Sequence, residues 1–225
     1  MNSLMSMGMH HRWRKIAVQM TNVLPGSKFI DVCCGTGMIT ADLARQVGAT
    51  GMVIGLDFSA NMLAIARRRL ERWMPDHNVE LVQANATAIP FPDNTFDGAT
   101  IGYGLRNVLE PRQLLIEVKR VVKPGGRVIA LEMAKPYLPV YKDLYYHYLH
   151  HWVPLLGKIL THNRDAYQYL HDSIISFIRQ DEVTAIYREL GFQNIQCSQL
   201  TWGIAAVYAG IKPRERGCLK RFVKE

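Results

Sequence analysis

From Lys28 to Ala134 the chain keeps switching between two hydrophobic rhythms. The stretches "KFIDVCC", "GMVIGLDFS", "VELVQANA", "FDGATIGYG" and "RVIALEMA" are dense in apolar and β-branched residues. Such runs suit strands buried on both faces. Between them, "MITADLARQVG", "ANMLAIARRRLERWM" and "EPRQLLIEVKRVVKPGG" repeat apolar positions at helical spacing. Ser59 is placed to cap the second of these helices, Pro111 lies in the first turn of the third, and Pro-Gly-Gly reads as its stop. Alternation of this kind predicts an α/β fold, with a mostly parallel sheet covered by helices on both faces.

Either side of this stretch the pattern differs. Residues 4–23 read as a helix ending near Gly26. After Pro136 comes a long helical, aromatic-rich insertion, residues 137–180, and then a helix over "DEVTAIYREL" that stops at Gly191. "FQNIQCSQLT" and "IAAVYAGIKP" are two closely spaced strands, an expected antiparallel pair at one sheet edge. The expected whole is one domain, 1–225, with seven strands, an antiparallel edge strand and a basic tail, 212–225.

Bulk properties narrow this little. A chain of 225 residues, 48% apolar and 20% charged, can bury a sizeable core. No apolar run reaches the ~18–20 residues of a membrane span. "MNSLMSMGMHHRWRK" is a poor signal peptide. Cys33, Cys34, Cys197 and Cys218 form neither a disulfide framework nor a zinc pattern, so a reducing cytoplasm is the simplest home. The formal charge of +8 admits nucleic acid or an anionic membrane surface as partners. The basic residues are scattered, however, and "ARRRLERW" points its arginines in three directions, as solvated faces do.

The chemistry concentrates at strand ends, where open α/β sheets bind ligands. "DVCCGTG" is one such end: its glycines let backbone approach a ligand, and helix-start amides favour an anion. Asp57 ends the next strand, where a carboxylate can accept both hydroxyls of a ribose. A plain tight turn, a dinucleotide site and an S-adenosylmethionine site all fit these features. Thr40 stands where G-x-G-x-x-G needs glycine, and Asp31 would repel a pyrophosphate. Both count against a dehydrogenase. Asp31 suits a ligand carrying an ammonium group.

With Asp57, "ANA" and "VKPGG" added, the chain resembles the class I, Rossmann-like methyltransferases that use S-adenosylmethionine. That resemblance implies that Cys33, Gly35, Thr36 and Gly37 hold the methionine end and Asp57 the ribose. Phe58 and Met62 would flank the adenine, Asn85 and Ala86 would meet its edge, and Gly102 would complete the wall. Cys33 departs from the family's usual glycine. The run "GYGLRNV" replaces the Pro-Pro-aromatic turn of many nitrogen methyltransferases, which disfavours nucleic acid as acceptor.

"GLRNV" is similar to the ubiquinone/menaquinone C-methyltransferase family. "MNSLMSMGMHHRWRK", "GLDFSANML", "IPFPDNTFD", "LEMAKP", "YQYLHDSI" and "LTWGIAAVYAG" fit its pattern in order, and "DVCCGTG" leans to the menaquinone branch. Family members carry a further segment ahead of "MNSLMS", including a helix that helps cover the cofactor. The resemblance implies methyl transfer to a ring carbon of a prenylated quinol. Another quinone, a small aromatic, or binding without turnover stay open. No metal is implied.

Arg106 and Asn107 are the catalytic candidates. A guanidinium at the strand mouth suits an oxyanion. The plainer alternative pairs Arg106 with Glu110 and gives Asn107 the turn. For a base, His147, His150, His151, Asp165 and Tyr169 of the insertion are candidates. The insertion itself reads as a lid or tail groove, a peripheral membrane contact or a homodimer interface.

Overall fold

The computed structural model describes residues 8–74, 76, 78–136, 147 and 172–214. Among the described residues seven strands form one sheet: β1 Lys28–Val32, β2 Met52–Asp57, β3 Val79–Gln83, β4 Phe96–Gly102, β5 Val122–Met133, β6 Gln193–Leu200 and β7 Ala205–Ile211. Their spatial order is β3-β2-β1-β4-β5-β7-β6. β1 to β5 pair in parallel. β7 runs antiparallel to both β5 and β6, so the reversed strand lies one in from the edge.

Period-two alternation sorts side chains to the two faces. On β1, Phe29 packs against Leu43, Ala44 and Val47 of α2 (Met38–Val47) and Ala66 and Leu70 of α3 (Ala60–Trp73). Its neighbours Ile30 and Val32 belong to the opposite layer, with Leu114, Leu115 and Val118 of α4 (Pro111–Val121) and Tyr187 of α5 (Gln180–Glu189). Trp13 and Ala17 of α1 (Met9–Met20) cover Ile129, Leu131 and Val207 of β5 and β7. The Trp13 indole N–H reaches Thr201 Oγ1 at 2.8 Å, which satisfies the one polar atom of that buried ring.

One local expectation needs correcting. The Pro-Gly-Gly segment does not end the third helix. α4 stops at Val121, and Lys123–Gly126 bulge within the long strand, whose register jumps between Phe96↔Val122 and Gly98↔Arg127. After β4, Leu105–Asn107 form a single 3-10 turn, and α4 begins at Pro111, in line with its expected place in the first turn. Most of the insertion lies outside the described residues. Among the described residues no helix is long and apolar enough to cross a membrane.

Candidate active site

The carboxyl ends of β1, β2 and β4 open into a cleft of about 870 Å³. Of the sequence-predicted site residues, Asp31, Cys33, Gly35, Thr36, Asp57, Phe58, Met62, Asn85, Ala86, Gly102, Arg106 and Asn107 all line it. Gly37 does not. It starts α2 at φ +74°, and a Cβ there would meet Ala66 and Leu70 at 3.2 Å, so it sets loop shape and helix packing instead.

The β1 end is organised by carboxylates. Asp57 Oδ2 accepts the Gly35 N–H at 2.8 Å and Oδ1 accepts the Ser59 N–H at 2.9 Å. Each oxygen keeps a further lone pair for a ligand hydroxyl. Ser59 Oγ in turn caps α3 by accepting the Met62 N–H. Phe58 stands 77% exposed at the rim. Asn85 folds its Oδ1 onto the Thr87 N–H and hydroxyl in a local turn, beside the buried Ala86.

Asp31 is almost wholly buried, between the Thr40 hydroxyl at 2.7 Å and the Thr100 hydroxyl at 2.8 Å. Thr40, which counted against a dinucleotide loop, is therefore a partner of this acid. Burial pushes the Asp31 carboxyl up to about 6, against the pull of those hydroxyls. Among the described residues no cation pairs with it. Burial also pushes the Cys33 thiol up to about 12 and raises Cys34, so neither is a thiolate nucleophile.

The β4 end is built from side chains. Glu132 of β5 is completely buried and forms an ion pair with Arg106 Nη1. It also accepts the backbone N–H groups of Arg106 at 3.2 Å and Met133 at 2.8 Å. The expected local partner, Glu110, is not used: Arg106 turns back under the sheet edge to a strand that is distant in sequence. The guanidinium also lies over the Tyr103 ring, 5.6 Å from its centroid. Asn107 Nδ2 donates to the Tyr103 carbonyl at 3.0 Å and so supports the turn. Gly104 is required for space: a Cβ there would sit 2.6 Å from Cys33 Cβ.

Some of the wall was not foreseen from sequence. His10, His11 and Arg14 of α1 line the cleft. Arg14 pairs with Asp42 of α2 at 2.8 Å, and burial, with His11 and Arg14 nearby, pushes His10 down to about 4. The paired rings and the basic residue one turn on were the only signal. Arg69, taken as one of three solvated arginines, donates to the Thr36 carbonyl and also lines the cleft. Of the proposed bases, His150, His151, Asp165 and Tyr169 lie outside the described residues. His147 is exposed.

Comparison with known proteins gives the family. The chain is 45% identical over 214 residues to the demethylmenaquinone methyltransferase of Desulfitobacterium hafniense, covering 95% of this chain and 85% of that one. It is 44% identical over 216 residues to the protein of the same name from Anoxybacillus flavithermus, covering 96% and 91%. Among solved structures, a SAM-dependent methyltransferase from Aquifex aeolicus shares the fold, with a TM-score of 0.64 at 21% identity over 88% of this chain and 89% of that one. Residues 1–212 match the family described as the ubiE/COQ5 methyltransferase family, and the chain belongs to that family.

Proposed function

We propose that this protein transfers a methyl group from S-adenosylmethionine to a ring carbon of demethylmenaquinol, in the synthesis of menaquinone. One observation carries the reading: a carboxylate-braced glycine loop and a buried arginine at a strand mouth share a single cleft. When bound, S-adenosylmethionine supplies an electrophilic methyl group on a sulfonium.

The residues present fit that donor. The free lone pairs of Asp57 suit ribose hydroxyls, and Phe58 and Met62 offer apolar surface to an adenine beside Asn85 and Ala86. Cys33, Gly35 and Thr36 present the loop to the methionine end, with Gly37 shaping it and Gly102 closing the wall. Asp31 is a buried acid with no cation beside it among the described residues, so a ligand ammonium would favour its ionised form. On the acceptor side, the quinol ring carbon would form a bond to the methyl as the methyl–sulfur bond breaks, leaving S-adenosylhomocysteine, and the hydrogen on that carbon would then leave as a proton to water. Arg106, held by Glu132, stabilises the ring oxygen as charge develops there. Asn107 keeps the turn in place. Holding donor and acceptor in line supplies much of the rate.

The enzyme works in the cytoplasm, in peripheral contact with the membrane that holds its prenylated substrate. Exposed Ile65 and Trp73 beside exposed Arg67, Arg68 and Arg72 on α3 support this, and loss of vesicle co-sedimentation in Trp73→Glu checks it. The central test is mass spectrometry of quinones after incubating demethylmenaquinol with S-adenosylmethionine. The expected result is a product heavier by one methylene. Binding of both compounds without that product would reduce the protein to a binding module.

A further inference from the structure

The strand mouth contains a residue that neither the loop chemistry nor the Arg106–Glu132 pair accounts for. Tyr103 follows β4 directly and adopts φ +57°, a left-handed conformation that costs an aromatic residue free energy. Its backbone is pinned from both sides. The N–H donates to the Leu131 carbonyl at 2.7 Å, and the carbonyl accepts from Asn107 Nδ2. The strain is thus held in place, and it aims a large polar-tipped ring at one spot.

On this ring and the guanidinium beside it, two hydrogen-bond donors are left over. The Tyr103 hydroxyl is buried and has no hydrogen-bond partner among the described residues. The same is true of Arg106 Nε, on the guanidinium that overlies the Tyr103 ring. Both residues line the cleft. Buried donors normally find an acceptor, because leaving them unpaired forfeits their hydration. Here Glu132 occupies Nη1 of Arg106 and leaves Nε over. Burial and the Glu132 charge raise the Tyr103 hydroxyl above its usual range, so it stays protonated and acts as a donor.

We infer that the Tyr103 hydroxyl and Arg106 Nε together seat one ring oxygen of the acceptor. Two donors on one oxygen fix the ring's rotation as well as its depth, so the carbon next to that oxygen is the one presented for methylation. Glu132 acts through Arg106 as a positioning residue. The inference rests on the quinol reading above and adds to it a residue and a basis for regiochemistry.

The test is binding of reduced demethylmenaquinone with a short prenyl tail, measured by anaerobic equilibrium dialysis with S-adenosylhomocysteine present. Tyr103→Phe removes only the hydroxyl. Arg106→Lys keeps a cation for Glu132 and removes Nε. Each is expected to weaken quinol binding about tenfold, as loss of one buried hydrogen bond does, with S-adenosylhomocysteine affinity unchanged. The double variant should lose less than the product of the two, since both donors serve one oxygen. Tyr103→Phe binding quinol like the wild type would overturn the inference, and so would parallel loss of S-adenosylhomocysteine binding. A wild type that binds the quinol but transfers no methyl sinks the methyl-transfer reading alone, and the binding ratio still decides the role of Tyr103.

Discussion

The two strand ends that frame the cleft are made of different materials. At the end of β1 the work is done by backbone: loop amides, helix-start geometry and glycine conformations, braced by Asp57. At the end of β4 it is done by side chains: Arg106, Tyr103 and Asn107 of the turn after β4, with the buried Glu132 of β5. A backbone-built site tolerates changes of side chain and fails when its shape changes. A side-chain-built site fails when one charge is left alone. The first suits a donor whose structure never varies, and the second leaves room for acceptor specificity to be altered.

The largest expected effect lies at the β4 end. Arg106→Ala strands the Glu132 carboxylate in the core and should cost about 3–5 kcal/mol of stability, read by chemical denaturation. Replacing both partners, Arg106→Met with Glu132→Leu, should restore most of that stability while methyl transfer stays abolished. A double variant with normal turnover would remove Arg106 from the chemistry.

Next comes the brace at the β1 end. Asp57→Ala removes a charged acceptor that serves two loop amides and faces the cleft. Charged hydrogen bonds contribute about 1.5–3 kcal/mol each, so S-adenosylhomocysteine affinity should fall about 100-fold by calorimetry, and stability by about 1.5–3 kcal/mol by chemical denaturation.

Asp31 sets ligand affinity against stability. Its carboxyl is raised to about 6 by burial, so the folded state without ligand binds a proton that the unfolded chain has released. Stability should therefore fall as pH rises from about 4 to about 6, by about 3 kcal/mol at roughly 1.4 kcal/mol per pKa unit. Asp31→Asn should flatten that slope and raise Tm near neutral pH by several degrees. It should also weaken S-adenosylhomocysteine binding and erase the gain in affinity expected of the wild type as pH rises through about 6. The smallest effect is expected of Arg69→Met, which frees the Thr36 carbonyl. A few-fold loss of donor affinity with unchanged acceptor binding would confine Arg69 to the backbone-built end.

The same contrast governs what could be read from the sequence. Backbone-built features leave local signatures: glycines at fixed spacing, a capping serine, a strand-end acid. The sheet and the shape of the glycine loop were legible for that reason. Side-chain pairing across strands leaves almost none. Glu132 looks like one more residue of "RVIALEMA", and only the parallel register of β4 on β5 brings it to Arg106. Tyr103 reads as strand, since nothing local predicts its left-handed turn. His10, His11 and Arg14 reach the cleft because Trp13 and Ala17 dock α1 on β5 and β7, a tertiary event. Lys123–Gly126 misled for a related reason: Pro-Gly-Gly punctuates helices and bulges alike.

β7 lies between β5 and β6 although it follows both in sequence. During synthesis, the β5 edge that β7 covers therefore stays without that partner until residues 205–211 have left the ribosome. Glu132 shares this delay, because its neighbour in the sheet is Ala206 of β7. The β1 end, made of β1, β2 and α2, can form early from local contacts, while the β4 end is completed only by the arrival of β7. A nascent chain lacking β7 would have the parts of its glycine loop in hand before it had a firm strand mouth beside it.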